Sequence, residues 1–434
     1  MVRVTDMTHG RPIRLILLFS LPLMLGSVFQ QLYTIVDTII IGRGVGMQAL
    51  ASIGAADWIN WLVLWGLQGF TQGFAILAAQ EFGAGAYDRL RRVLAMIVKL
   101  SCWFGIAVTI ISLLLVRPLL TLLHTDPAVF DGAQTYLYVQ FGGSLIIIAY
   151  NMAAAVLRCL GDSRTPLFAI IAASFANIAL DLLFVMGFGW GIFGASFATV
   201  LAQLIAFLLC LRSLRRLPFV QLTKADWKTD PAILLHLCRL GIPTGLQMSM
   251  ITLGGMVLQS VLNGFGVVFV AGYTAANKLY GILESASVAF GYAMTAYMGQ
   301  NRGARNAVRI DAGIRAVLVL SAEFTAAIVT AMLLAGKPLL GLFLSTEEAG
   351  AADALAVAYQ YLMVLMAFLF ALFMLQAYRS SLQGLGEMTV PTLSGFAEML
   401  MRMGAALVLP TFIGQSGVFF AEGAAKIDVV KYDL

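Results

Sequence analysis

The sequence predicts an all-α polytopic membrane protein: two six-helix-type lobes related by a parallel pseudo-two-fold repeat, with the last span missing or altered. Three observations predict it. Of 434 residues, 60% are hydrophobic and 11% charged, whereas soluble chains are about a quarter charged. Apolar windows of about 20 residues recur along the chain. Polar markers of the first half return in the second.

Eleven spans follow, near 13–41, 48–79, 94–115, 133–157, 166–187, 191–211, 237–262, 267–298, 314–335, 355–382 and 391–410. Proline or glycine marks many of their ends, as at Pro118, Pro166, Gly191, Pro338 and Pro391. Beyond the eleventh, 414–425 is too short to cross, and 426–434 is a polar tail carrying Lys426, Asp428, Lys431 and Asp433. That stretch is expected at the outer surface, leaving the second lobe without a twelfth wall. The expected divisions are a lobe over 1–211, a linker over 212–239, a lobe over 240–425 and the tail.

Charge sets the orientation. Lysines and arginines crowd one set of alternating loops, among them Arg11, Arg89, Arg91, Arg92, Arg212, Arg215, Arg216, Lys224, Arg302 and Arg305. The opposite set holds only Arg43, Arg117 and Lys337. The positive-inside rule therefore puts the N-terminus and the linker in the cytoplasm. The net charge of +5 belongs to those loops and is no nucleic-acid signal. Cys102, Cys159, Cys210 and Cys238 stand singly with no CxxC spacing, and His9, His124 and His236 make no metal-ligand pattern. The first apolar run leads straight into further spans, unlike a cleavable signal peptide. No GxxxxGK[ST] occurs, which argues against ATP hydrolysis, and the polar residues lie too deep for a membrane-surface enzyme.

The repeat is read from polar landmarks. Pro22 matches Pro243. ALASIGAADW (49–58) aligns with FVAGYTAANK (269–278). AAQEFGAGAYDRLRRV (78–93) aligns with MGQNRGARNAVR (298–309), keeping Gln80/Gln300 and Gly83/Gly303. LRCLGDSRTP returns as LQGLGEMTVP. Repeated halves commonly surround a midplane site in transporters.

Within the spans, Asp37 and Asp181 sit at one depth on two outward-going helices, Asp181 about 9 Å from its outer end. Asn177 lies one turn below Asp181 on the same face. Thr199 falls at a similar level on the sixth span. Two carboxylates, an amide and a hydroxyl form an oxygen-rich set suited to a hard cation such as sodium, or to a shared proton. No lysine or arginine stands at that depth. In the second lobe Asn277, Lys278 and Glu284 on the eighth span are candidates for lining a substrate cavity, and Glu398/Arg402 reads as a neutralised packing pair.

The QQLYTIVDTIIIGRGVGMQALASIG stretch, the Q-x-x-G loops and the L-G-D/L-G-E-to-Pro loops resemble the MATE (multidrug and toxic compound extrusion) transporters. The likeness runs from about Leu15 to Ala421. It implies twelve spans in two lobes and export of drug-like, often cationic, compounds in exchange for sodium ions or protons. It also implies an Asp on the first span and N-x-x-x-D on the fifth, as in the DinF-like branch, with Asn151 a further site residue and Pro22 a hinge. The sodium-coupled NorM-like branch carries a Glu where this chain has Ile251, which favours coupling in the first lobe. A lipid-linked saccharide flippase is the alternative. The expected partners are small organic molecules and membrane lipids, with no nucleic acid. The expected form is a monomer in a bacterial inner membrane, with no cofactor beyond the coupling Na+ or H+.

Overall fold

The computed structural model describes residues 4–344 and 350–423. Twelve α-helices run through them: α1 Pro12–Gly44, α2 Met47–Gly83, α3 Tyr87–Leu122, α4 Pro127–Gly142, α5 Ser144–Cys159, α6 Arg164–Asp181, α7 Gly191–Leu214, α8 Pro231–Leu262, α9 Val267–Gly303, α10 Ala307–Gly341, α11 Ala351–Gly384 and α12 Thr389–Ile413. Among the described residues nine helical segments are long and apolar enough to cross a membrane, or ten when α4 and α5 count as one bent span. α9 is not among them despite its 37 residues, and it carries Asn277, Lys278 and Glu284.

The fourth expected span differs most from expectation. It is two helices bent by 50°, and the break falls at Gly143, where a Cβ would lie 2.5 Å from a Val200 methyl of α7. A straight helix bearing a side chain there would strike α7.

The repeat is visible in the backbone. α2 and α9 have the same length, 37 residues. Left-handed residues precede both, Gly46 and Gly266, and follow both, Gly85 and Arg305. The L-G-acid loops are helix-start devices. Gly161 at φ +89° lets the chain pass Thr5, whose amide donates to Gly161 O. Asp162 then accepts from the amides of Arg164 and Thr165 at the start of α6. Gly386 and Glu387, whose carboxylate accepts from Thr389 N, do the same before α12. Such caps satisfy orphan amides of a first helical turn.

By compactness the chain divides into two units. The first comprises Met1–His9, Leu21–Gly245 and Gly299–Asn306; the second comprises Gly10–Ser20, Leu246–Met298 and Ala307–Leu434. The divisions thus fall inside α1 and α8, beside Pro22 and Pro243, and not at the 212–239 linker.

In the first unit two apolar clusters fix the helices. One joins α2, α3 and α4 through Ala56, Ile59, Val116, Leu120, Leu137 and Phe141. The other joins α1, α2 and α7 through Ile40, Ile41, Ala49 and Ala195, with Val185 from the turn after α6. The ends of α2 and α9 meet reciprocally: a Cβ on Gly83 would lie 2.0 Å from Gln300 O, and one on Gly303 would lie 1.9 Å from Gln80 O. Gln300 accepts from Met7 N and donates to Cys159 O. The linker docks on α3, where Lys99 Nζ donates to Trp227 O and Thr229 Oγ1.

Over 414–423 the second unit departs from the expected outer-surface segment. Gly414, at φ +71°, turns the chain, and 419–423 is helical and packed inward. Phe419 stacks on Phe269 and Tyr361, and Phe419 and Ala421 are buried. The apolar run Val418–Ala421 therefore finds an aromatic column where an outer-surface segment was expected. The polar tail lies outside the described residues.

Candidate functional site

The acids on α1 and α6 meet. Val36 and Ile178, neighbours of Asp37 and Asn177, pack on the cluster that ties α1 to α2, α7 and Val185, which brings the segments bearing the two acids together. Asp37 is half-buried, while Asp181 and Asn177 are 0% and 1% exposed. The carboxyls of Asp37 and Asp181 lie within hydrogen-bond reach of each other, with no lysine or arginine among the described residues acting on either. Two carboxylates carry no donor. Accordingly Asp37 Oδ1 and both Asp181 oxygens lack a hydrogen-bond partner, as do Asn177 Oδ1 and Nδ2. Buried polar groups are nearly always satisfied, and a single proton held between the carboxyls would supply the missing donor. The backbone changes character at the same place: Asp181 ends the α-helix and Leu182–Gly187 continues as a π-helix, a distortion frequent at functional sites.

The other first-lobe candidates are less committed. Thr199 Oγ1 donates to Ala195 O and Asn151 Nδ2 to Ile147 O, both within their own helices, leaving oxygen lone pairs to offer. Pro22 lies inside α1, which stays one continuous helix. No group of three or more His, Cys, Asp or Glu among the described residues is placed to hold a metal ion. A sodium ion at Asp37, Asp181 and Asn177 would therefore need amide and hydroxyl oxygens besides the two carboxyls.

One acid escaped the sequence reading. Asp57 of α2 is half-buried, and the charge that acts on it is that of Asp37. Tyr136 of α4 lies within the electrostatic reach of Asp57, Asp37 and Tyr33, and its hydroxyl accepts from Asn60 Nδ2 at 3.2 Å. The repeat held the signal, since Asp57 aligns with Asn277, itself a site candidate.

In the second unit Asn277 and Lys278 are exposed and Glu284 is half-buried. Glu284 belongs to the charges around Arg402, with Glu398 and Glu422. Glu398 accepts from both Arg402 and Arg379 at 3.0 Å, so the expected pair is a triad across α11 and α12. Tyr361 donates to Glu422 at 3.0 Å, which ties the turn after α12 to the same group.

A family model described as MatE matches residues 22–183 and 243–408. A probable multidrug resistance protein of Bacillus subtilis, YpnP, is 33% identical over 83% of this chain and 80% of its own length. A probable multidrug resistance protein of Thermotoga maritima, NorM, is 26% identical over 76% of this chain and 72% of its own. Among solved structures, a MOP superfamily transporter from Pyrococcus furiosus aligns with a TM-score of 0.91 at 24% identity, covering 99% of this chain and 97% of that one. A MATE protein solved in complex with MaL6 aligns with a TM-score of 0.91 at 23% identity, covering 99% and 96%.

Proposed function

The chain belongs to the MatE family, and on that premise we propose that it is a secondary antiporter. In this reading it is an integral multi-pass membrane protein, a transporter and not an enzyme. It exports amphipathic, cationic organic compounds in exchange for protons or sodium ions by alternating access. The names of the Bacillus and Thermotoga relatives support drug-like cargo. The observation that carries the reading is the contact of half-buried Asp37 with buried Asp181 and the unpartnered oxygens of the pair. A carboxyl pair without a basic partner can take up one positive charge and release it when its surroundings change. An acidic site also suits a cationic cargo better than the anionic lipid-linked sugar of a flippase. The N-terminus and linker are read as cytoplasmic, the membrane as a bacterial inner membrane, and the chain as a monomer.

The test is export of ethidium from proteoliposomes under a proton gradient and, separately, a sodium gradient. Export driven by one of the two gradients, proton or sodium, is the expected result. Export indifferent to both gradients would remove the antiport reading.

A further inference from the structure

The first unit holds a cavity that the acid pair does not use. It measures about 240 Å³ and lies between the later part of α2, the start of α3 and the start of α8. Buried Leu77 and Ile233 give it an apolar lining, and Arg89, Arg92, Asp230 and His236 a polar one. Helix spacing assembles it. Arg89 and Arg92 are three apart on α3, and Ala232 and His236 are four apart on α8, so each pair shares a face. Drug-sized ligands fill about 300–1,000 Å³. This cavity therefore suits a small group and not the cargo.

Its charges leave cations in surplus, because each nearby carboxylate is committed. Glu81 pairs with Arg89 Nε at 3.1 Å. Asp230 accepts from the amides of Ala232 and Ile233 and so caps α8. Asp226 accepts from Thr223 and pairs with Arg91 at 3.7 Å. Arg92, by contrast, is exposed and makes no hydrogen bond or ion pair among the described residues. His236 lies within the electrostatic reach of Arg89, Arg239 and Arg302. The cavity also has a fixed level. Arg92 and His236 directly precede the third and seventh expected spans, where headgroups lie. Beside His236, Leu235 and Ile242 are 54% and 45% exposed. They stand seven apart on one face of α8, an apolar strip leading from the cavity into the span. A guanidinium fork matches phosphate oxygens. Basic pockets between membrane helices on the cytoplasmic side hold anionic headgroups.

We propose that this cavity binds the phosphate group of an anionic membrane phospholipid, with Arg92 and Arg89 as its ligands, His236 as a further donor and an acyl chain along Leu235 and Ile242. The bound phosphate ties the start of α3 to the start of α8, where the linker ends. The proposal shares the cytoplasmic reading of the linker and is independent of the antiport reading.

The experiment uses the full chain in a neutral detergent, where neither gradient nor sidedness enters, so its failure leaves both of those readings standing. Phosphatidylglycerol, phosphatidylcholine or inorganic phosphate is added. Bound lipid is counted by native mass spectrometry, and the melting temperature is followed. The wild-type chain should retain phosphatidylglycerol in preference to phosphatidylcholine and melt at a higher temperature with it. Arg92→Gln should weaken that retention roughly fivefold and Arg92→Glu roughly thirtyfold. Arg89 is left in place because it holds Glu81. Arg212→Gln, at the end of α7 and away from the cavity lining, should keep the wild-type affinity. Equal retention of the two lipids would overturn the proposal, as would Arg92 variants that bind like wild type. A loss in Arg212→Gln as large as in Arg92→Gln would reduce the effect to general surface charge and overturn it too. Stabilisation by inorganic phosphate equal to that by phosphatidylglycerol, and lost in Arg92→Glu, would overturn the assignment to a lipid and leave a free-phosphate site.

Discussion

Asp181 is wholly buried with both oxygens unpartnered among the described residues, and Asp37 is the one charged neighbour that acts on it there. Replacing either acid by Asn keeps the shape and adds a donor amide that satisfies the other carboxyl. The expected outcome is a stably expressed protein that binds cargo but has lost gradient-driven export. Full export by both single variants would show the pair to be structural. Glu398 is the contrasting case. It is 5% exposed and bonded to two arginines, and breaking a buried ion pair from one side costs about 3–5 kcal/mol. Glu398→Gln should therefore lower the melting temperature in detergent sharply, by exposing the charges of Arg379 and Arg402 to each other. These two sites differed in legibility for one reason. Carboxylates at equal depth can be read from helix rise, which is how Asp37 and Asp181 were paired. Arg379 reaches Glu398 sideways, from a neighbouring helix whose rotation the sequence does not carry.

The elements were legible where apolar length defined them and less so where contact did. The bend at Gly143 depends on how close α7 approaches, which no local signal in GGS announces. The turn at Gly414 was missed for a similar reason, because Val418–Ala421 is too short to read as a wall and becomes one only beside Phe269 and Tyr361. By contrast, Gln80, Gly83, Gln300 and Gly303 were found as repeat markers, and their reciprocal contact explains the choice of residues. Gly83→Ala would place a methyl on the Gln300 backbone, and overpacking of this kind costs about 1–3 kcal/mol or more. A melting temperature equal to wild type would show that the helix ends part freely. The linker offers a pH test outside the membrane. Asp226 accepts from Thr223 N and Oγ1 at 2.7 Å. Burial opposes its charge, but those hydrogen bonds and the charges of Arg91 and Arg92 outweigh it and hold its pKa below the usual value. Its contribution is then present above the unfolded value of about 3.9 and lost as pH falls through the lower folded value. Asp226→Asn should quicken proteolysis of the linker at neutral pH, and the difference from wild type should shrink as pH falls below about 3.9.

At the scale of the molecule, the duplicated pattern was readable because polar landmarks survive among interchangeable apolar residues, whereas the division into compact units was not. Composition places the boundary at the polar linker, yet the chain divides inside two helices, between Ser20 and Leu21 in α1 and between Gly245 and Leu246 in α8. Each division lies beside the one proline that the sequence repeat keeps in both first helices. Proline removes an amide donor and clashes with the carbonyl four residues back, so the helix is least rigid there. A helix shared between two compact units must bend or rotate at its weakest turn if the units move as bodies. Pro22→Ala and Pro243→Ala restore the missing backbone bond in each helix. Both variants should raise the melting temperature and lower gradient-driven export several-fold, and the double variant should lower it further. Export at the wild-type rate in a more stable double variant would place the moving joint elsewhere and reduce the prolines to tolerated kinks.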